Sequence, residues 1–192
     1  MKSFAADTAE LMNRMGAQAM QMQGTQVKAA WPVDLSHMEP TAAANWLVGR
    51  YWNDALPVQP GQIAQSMGVS LQELTGQESS PIYHGPSGEL RLAINRQEPL
   101  LRQRVAVARG LGHIVLRHRD PSLAAWRNFG DDPPSPHDKD ASLFAATLLV
   151  PSMHLRFCMA SGWARNARQI VEWFDVPESL VALRYQLLLA GH

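Results

Sequence analysis

Residues 104–118 read Arg-Val-Ala-Val-Ala-Arg-Gly-Leu-Gly-His-Ile-Val-Leu-Arg-His, and the reading of this stretch decides the fold. A helix carrying His-Glu-x-x-His places two histidines four residues apart on one face, where they can share a zinc ion. The glutamate beside the first histidine then activates the metal-bound water. Here the second histidine is present as His113, but four residues earlier stands Arg109, and the glutamate position is Gly110. A guanidinium stays protonated and has no lone pair to donate. Gly110 cannot accept a proton. The frame of a zinc-binding helix is present with half of its chemistry missing, and Arg109→His with Gly110→Glu would rebuild the lettering.

The residues around this helix make the frame more than coincidence. Upstream stands Leu92-Ala93-Ile94-Asn95, followed by Arg102-Gln103-Arg104 and Ala108-Arg109-Gly110-Leu111-Gly112-His113. Downstream stands Asp138-Lys139-Asp140-Ala141-Ser142-Leu143-Phe144-Ala145-Ala146-Thr147-Leu148-Leu149-Val150-Pro151. In these segments, and from about residue 42 to the end, the chain resembles the ImmA/IrrE metallopeptidase family. That family shows a strand ending like Ile-x-Ile-Asn, an Ala-His-Glu-Leu-Gly-His helix, and a second helix like Glu-x-x-Ala-Asn-x-Phe-Ala-Ala-Glu-Leu-Leu-Met-Pro. The resemblance implies an α+β fold, with a zincin-like helical core, a small antiparallel sheet and here an N-terminal helical extension. By position it puts His113 at the second zinc histidine and Asp138 at the glutamate ligand. Arg109 and Gly110 fall at the first histidine and the catalytic glutamate. It implies a catalytically degenerate member with no catalytic residue of its own. Active members cleave helix-turn-helix repressors of mobile elements and stress systems, so the implied partner is another protein of that kind, bound without being cut.

Composition is consistent with this. A chain of 192 residues with 46% hydrophobic content suits one core-forming domain. We divide it into residues 1–40, an N-terminal helix and linker, and residues 41–192, the domain proper. Zero formal net charge provides no global field favouring nucleic acid. The lone Cys158 excludes an internal disulfide and fits a reducing compartment. No apolar run approaches the roughly 20 residues of a membrane span, and no apolar signal core follows Lys2. The expected location is cytoplasmic, with no membrane partner.

Along the chain, Phe4, Thr8, Leu11, Met15, Ala19 and Met22 recur at helical steps in a Met/Gln-rich stretch over residues 1–30. A stripe so narrow folds back on the domain or serves self-association or partner contact. Pro32 to Pro40 reads as a linker, with Thr41 capping a helix through Ala44, Leu47 and Tyr51. Residues 62–74 have the cadence of a helix-turn-helix, or of a short helix followed by a strand. The second reading is preferred, because the would-be recognition helix offers Gln72 and Glu73 and no basic residue. Residues 82–84 and 89–94 form a hairpin, with Leu90, Leu92 and Ile94 alternating toward one face. Pro99 opens the Arg109 helix. A second helix begins near Asp138 and closes at Pro151, a third covers roughly 163–174, and the last carries Leu180, Leu183, Leu187 and Leu188.

The remaining candidate residues offer little other chemistry. His118 lies about 140° round the helix from His113, so the two do not share a face. A displaced zinc site would use His113 and Asp138 with His137 or His154; histidines dispersed through an ordinary domain are the commoner case. No Gly-x-Ser-x-Gly elbow and no Gly-rich phosphate loop occur. Seven arginines between Arg91 and Arg119 should form mainly a solvated face. Arg109 is the exception, expected to enter the cleft and pair with Asp138 or Asp140 in place of a metal cation. The functional expectation is a degenerate, protein-binding regulatory module without a cofactor. The alternatives are a zinc endopeptidase with rearranged ligands and, behind it, a DNA-binding regulator using residues 62–74.

Overall fold

The computed structural model describes residues 33–75, 82–84, 90–117, 135–162 and 166–191. The expectations placed on residues 1–30, on the acidic loop before residue 135 and on residues 163–165 lie outside them. Among the described residues the order is α1 (Pro40–Tyr51), α2 (Pro60–Ser66), β1 (Ser70–Leu74), β2 (Ile82–His84), β3 (Leu90–Asn95), α3 (Leu100–Val115), α4 (Pro136–Leu149), α5 (Ser152–Ala160), α6 (Ala167–Phe174) and α7 (Glu178–Leu189). The α+β class expected from the sequence is the class observed.

The sheet has the strand order β1-β3-β2. The hairpin is antiparallel, with Tyr83 opposite Arg91. The sheet is nevertheless mixed rather than purely antiparallel, because β1 pairs parallel to β3, Leu71 opposite Leu92 and Glu73 opposite Ile94. That places β3 in the centre, and Leu92, Ala93 and Ile94 are consecutively buried in place of the expected one-sided alternation. A central strand loses its solvent face when both flanks and a helix layer cover it. Residues 62–74 are a helix and a strand, not two helices. Gly68, at φ 78°, makes the left-handed reversal between them. A DNA reader on this segment therefore lacks its second helix.

The core is built around α4, whose Phe144, Ala145, Ala146, Leu148 and Leu149 are fully buried. It packs between α3 and α1. Gly112 makes this possible: a Cβ there would stand 3.1 Å from Phe144 Cδ1 and 3.2 Å from the Ala141 Cα. Helix starts differ in detail from expectation. Helix α1 begins at Pro40 after Glu39, with no side-chain cap, so Thr41 does not serve as one. Helix α4 begins at Pro136, capped by Ser135, whose Oγ accepts the Asp138 N–H at 3.1 Å. Pro151 does end α4, but its carbonyl accepts the Leu155 N–H at 3.1 Å and opens α5, a helix the sequence reading passed over. Helix α5 is turned 58° from α4. Among the described residues no single helix is long and apolar enough to cross a membrane.

Two of the arginines expected on a solvated face, Arg104 and Arg117, tie elements together, and so does Arg184, which lies outside that group. Arg104 donates to the Val58 carbonyl at 2.9 Å and the Phe174 carbonyl at 3.3 Å, and its Nε lies 3.3 Å from Asp175 Oδ2. Arg117 meets Asp34 at 3.1 Å, fastening the residues before α1 to the end of α3. Arg184 on α7 is fully buried and donates to the Val150 carbonyl at 3.2 Å and to Ser152 Oγ, holding the α4–α5 corner. Burial pushes its guanidinium below the usual range, and neighbouring Arg156 adds to that. Arg184→Met keeps the volume but removes the donors. It should cost about 2 kcal/mol, because buried acceptors are left without partners. Urea unfolding reads this directly, and an unchanged midpoint would show that the corner holds without Arg184.

Candidate functional site

Helix α3 and the start of α4 bring the expected cleft residues together. Arg109 and His113 stand one turn apart on α3, and Asp138 lies in the first turn of α4. His113 and Asp138 are buried and Arg109 is largely so, with 8%, 8% and 12% of their side-chain surface exposed. Arg109 Nη2 donates to Asp138 Oδ1 at 3.3 Å, and His113 Nε2 lies 3.8 Å from the same oxygen. The other oxygen, Oδ2, accepts the Ser135 hydroxyl at 2.7 Å. Each carboxylate oxygen of Asp138 thus has a donor belonging to the chain. Burial pushes the Arg109 guanidinium below its ordinary value, and Asp138 works against that by favouring the charged form. A guanidinium retains its proton under such opposed effects, so a permanent positive charge sits where a zinc-binding helix would present its first ligand.

These residues do not fit a zinc ion. Arg109 offers no lone pair, and the carboxylate of Asp138 is committed to Arg109 and Ser135. Among the described residues no three His, Cys, Asp or Glu side chains gather in a way that could hold a metal ion. Of the proposed third ligands, His137 is exposed on the first turn of α4. His154 belongs to α5, beyond the opposite end of α4. Asp138 to Leu149 alone spans about 16 Å of helix. The His154 ring packs edge-on against Trp52 with centroids 4.9 Å apart; burial lowers its pKa, and Asp54 partly offsets this. The rearranged set of His113, Asp138 and His154 is not assembled. Asp140 is half-buried two residues beyond Asp138, and the cleft contact described for Arg109 is with Asp138.

Position 110, where a His-Glu-x-x-His helix would carry its glutamate, has a packing partner that the sequence reading did not identify. A Cβ at Gly110 would stand 2.4 Å from Leu92 Cδ1 and 2.9 Å from Leu92 Cδ2. Leu92 is 1% exposed, so its terminal methyls have little room to withdraw. Rebuilding His-Glu-x-x-His by Arg109→His and Gly110→Glu therefore meets a steric obstacle that the lettering alone does not reveal. Ser135 was also missed. Its signal was Ser-Pro-x-Asp at residues 135–138: an N-cap hydroxyl, proline in the first turn, and an acid three residues on. Cys158 is fully buried, and burial pushes its thiol up to about 11, which disfavours the thiolate a nucleophile needs.

The family model of the IrrE N-terminal-like domain, Peptidase M78, matches residues 64–186, a span running from α2 to α7 and including every cleft residue above. The search of curated proteins found no match.

Arg109→Ala should destabilise the protein by roughly 3–5 kcal/mol, because it strands a buried carboxylate. The control is Arg168→Ala: that residue is 87% exposed and paired with Glu172 on the same helix, and its loss should cost about 0.5 kcal/mol. Equal losses for the two, measured by chemical denaturation, would show that the cleft pair contributes no more than a surface one. Cys158 should react with a thiol reagent at pH 8 far more slowly in the native protein than in urea. A raised thiol pKa leaves little thiolate at that pH, and burial blocks access.

Proposed function

The chain belongs to the IrrE N-terminal-like domain family, and on that footing we propose that it is a catalytically degenerate member acting by binding another protein. The observation that carries this reading is the buried Arg109–Asp138 pair at 3.3 Å. It puts a fixed cation and a satisfied carboxylate where catalysis would need two open ligands. Gly110 contributes no general base. A peptide bond brought to this cleft would find neither an activated water nor a group to take its proton. What the family frame retains is a rigid core and a surface. A fold kept after its chemistry is lost supports a binding role, and the class of partner that fits is a helix-turn-helix regulator of a mobile element or stress response. Such a partner would be sequestered, not cleaved.

One observation favours a second reading. His113 and Asp138 remain neighbours at 3.8 Å, so a zinc endopeptidase with rearranged ligands could start from them if Arg109 turned away and a third donor arrived. Metal content separates the two. Protein purified without chelator and dialysed should hold well under one zinc per chain by elemental analysis. One zinc per chain surviving dialysis would overturn the degenerate reading and promote the rearranged site.

The stretch 1–30 is the candidate association element. Its stripe of Phe4, Leu11, Met15 and Met22 is apolar, and the family match begins well after it. Deleting residues 1–30 should leave a folded domain with weaker self-association, read by size-exclusion with light scattering on both forms. An unfolded truncated protein would make the stretch part of the core. Identical mass and partner binding for both forms would remove any association role.

A further inference from the structure

Helix α3 carries two glycines that face different neighbours. Gly112 lets α4 approach, and Gly110 meets strand β3 through Leu92. We infer that Leu92 is a second determinant of the cleft's state: its side chain fills the space that any side chain at position 110 would need, so Leu92 and Gly110 form a matched pair. As packing this stands alone; as an account of lost catalysis it rests on the non-catalytic reading above.

Three observations carry it. The Cβ position at Gly110 falls 2.4 Å from Leu92 Cδ1, 2.9 Å from Cδ2 and 3.2 Å from Cγ, so the whole isobutyl end is in the way and not one rotatable methyl. Leu92 is 1% exposed on the central strand, and the strand's register is set by β1 on one side and β2 on the other. Gly110 has an ordinary helical backbone: it is absent from the positive-φ glycines and lies inside α3. A helix interior disfavours glycine, and nothing in its backbone demands one. The demand comes from Leu92. A zinc-peptidase helix needs a carboxylate beside its first histidine, and here a leucine methyl occupies the root of that side chain.

The test turns on a sign. In an unobstructed helix interior Gly→Ala raises stability. Here Gly110→Ala should lower the thermal midpoint of the full chain by several degrees. In a Leu92→Val background, which removes the two Cδ atoms while keeping a good strand residue, the same change should lose little or raise the midpoint. Leu92→Ala repeats the comparison should valine itself crowd the site. Equal losses in parent and Leu92-variant backgrounds, or a gain in the parent, overturn the matched pair. A second arm uses zinc alone as the probe. Arg109→His/Gly110→Glu/Asp138→Glu should take up much less than one zinc per chain, and adding Leu92→Val should raise uptake at least several-fold. Full uptake without the Leu92 change overturns the inference. If the thermal signs hold and neither variant takes zinc, Leu92's role stands, and the assignment of residues 109, 113 and 138 as ligand positions falls.

Discussion

The close approach of α3 to its neighbours is the constraint on which the rest of the cleft depends. Gly110 and Gly112 are two residues apart, about 200° round the helix, so α3 is bare on two nearly opposite sides. One side receives Leu92 of the sheet, and the other receives Phe144 and the Ala141 backbone. The helix is therefore held between the Leu92 side chain of β3 and the backbone of α4. With α3 so placed, Arg109 and His113 face the first turn of α4, and Asp138 is within reach of both. A larger residue at either glycine would move the helix or its neighbour. The ion pair at the cleft would then lose its geometry before any of its own residues had changed.

Electrostatics explain why this cleft tolerates a buried carboxylate without a metal. An isolated charge in the interior is too costly to leave uncompensated. Asp138 gains a guanidinium on one oxygen and a hydroxyl on the other. Ser135 does double duty, since its hydroxyl oxygen also accepts the Asp138 N–H and so begins α4. The cap that starts the helix and the partner that satisfies the carboxylate are one side chain. Loss of the Ser135 hydroxyl would therefore disturb both the helix start and the satisfaction of the carboxylate. The positive charge that balances Asp138 is covalently attached to the chain, as the Arg109 guanidinium.

Much of the fold was legible in the residues. Helical spacing located α3, α4 and α7, Pro151 marked the end of α4, and the two strands read at residues 82–84 and 89–94 do pair antiparallel. Gln72 and Glu73, with no basic neighbour, argued against a second helix after Gly68, and that segment is β1. Other features left no local trace. The parallel pairing of β1 to β3 joins residues 21 positions apart, and no periodicity within either strand encodes which edge is filled. Helix α5 was hidden because proline is a stop signal and a start signal alike. The arginines looked like a solvated face because one-dimensional spacing cannot distinguish an exposed charge from one reaching across to a carbonyl on another helix.

What the sequence by itself determined is the chemistry that the cleft lacks. Arginine cannot ligate zinc and glycine cannot act as a base, wherever the chain places them, because those are properties of single side chains. What only the tertiary structure decided is what took their place. The hold of Ser135 on the other carboxylate oxygen is local, three residues away, but that Arg109 closes on Asp138 and that Leu92 fills the space beside Gly110 are relations between elements 29 and 18 residues apart in the chain. Such relations follow from helix and strand packing at close-packed density, and residue types in a row do not carry them.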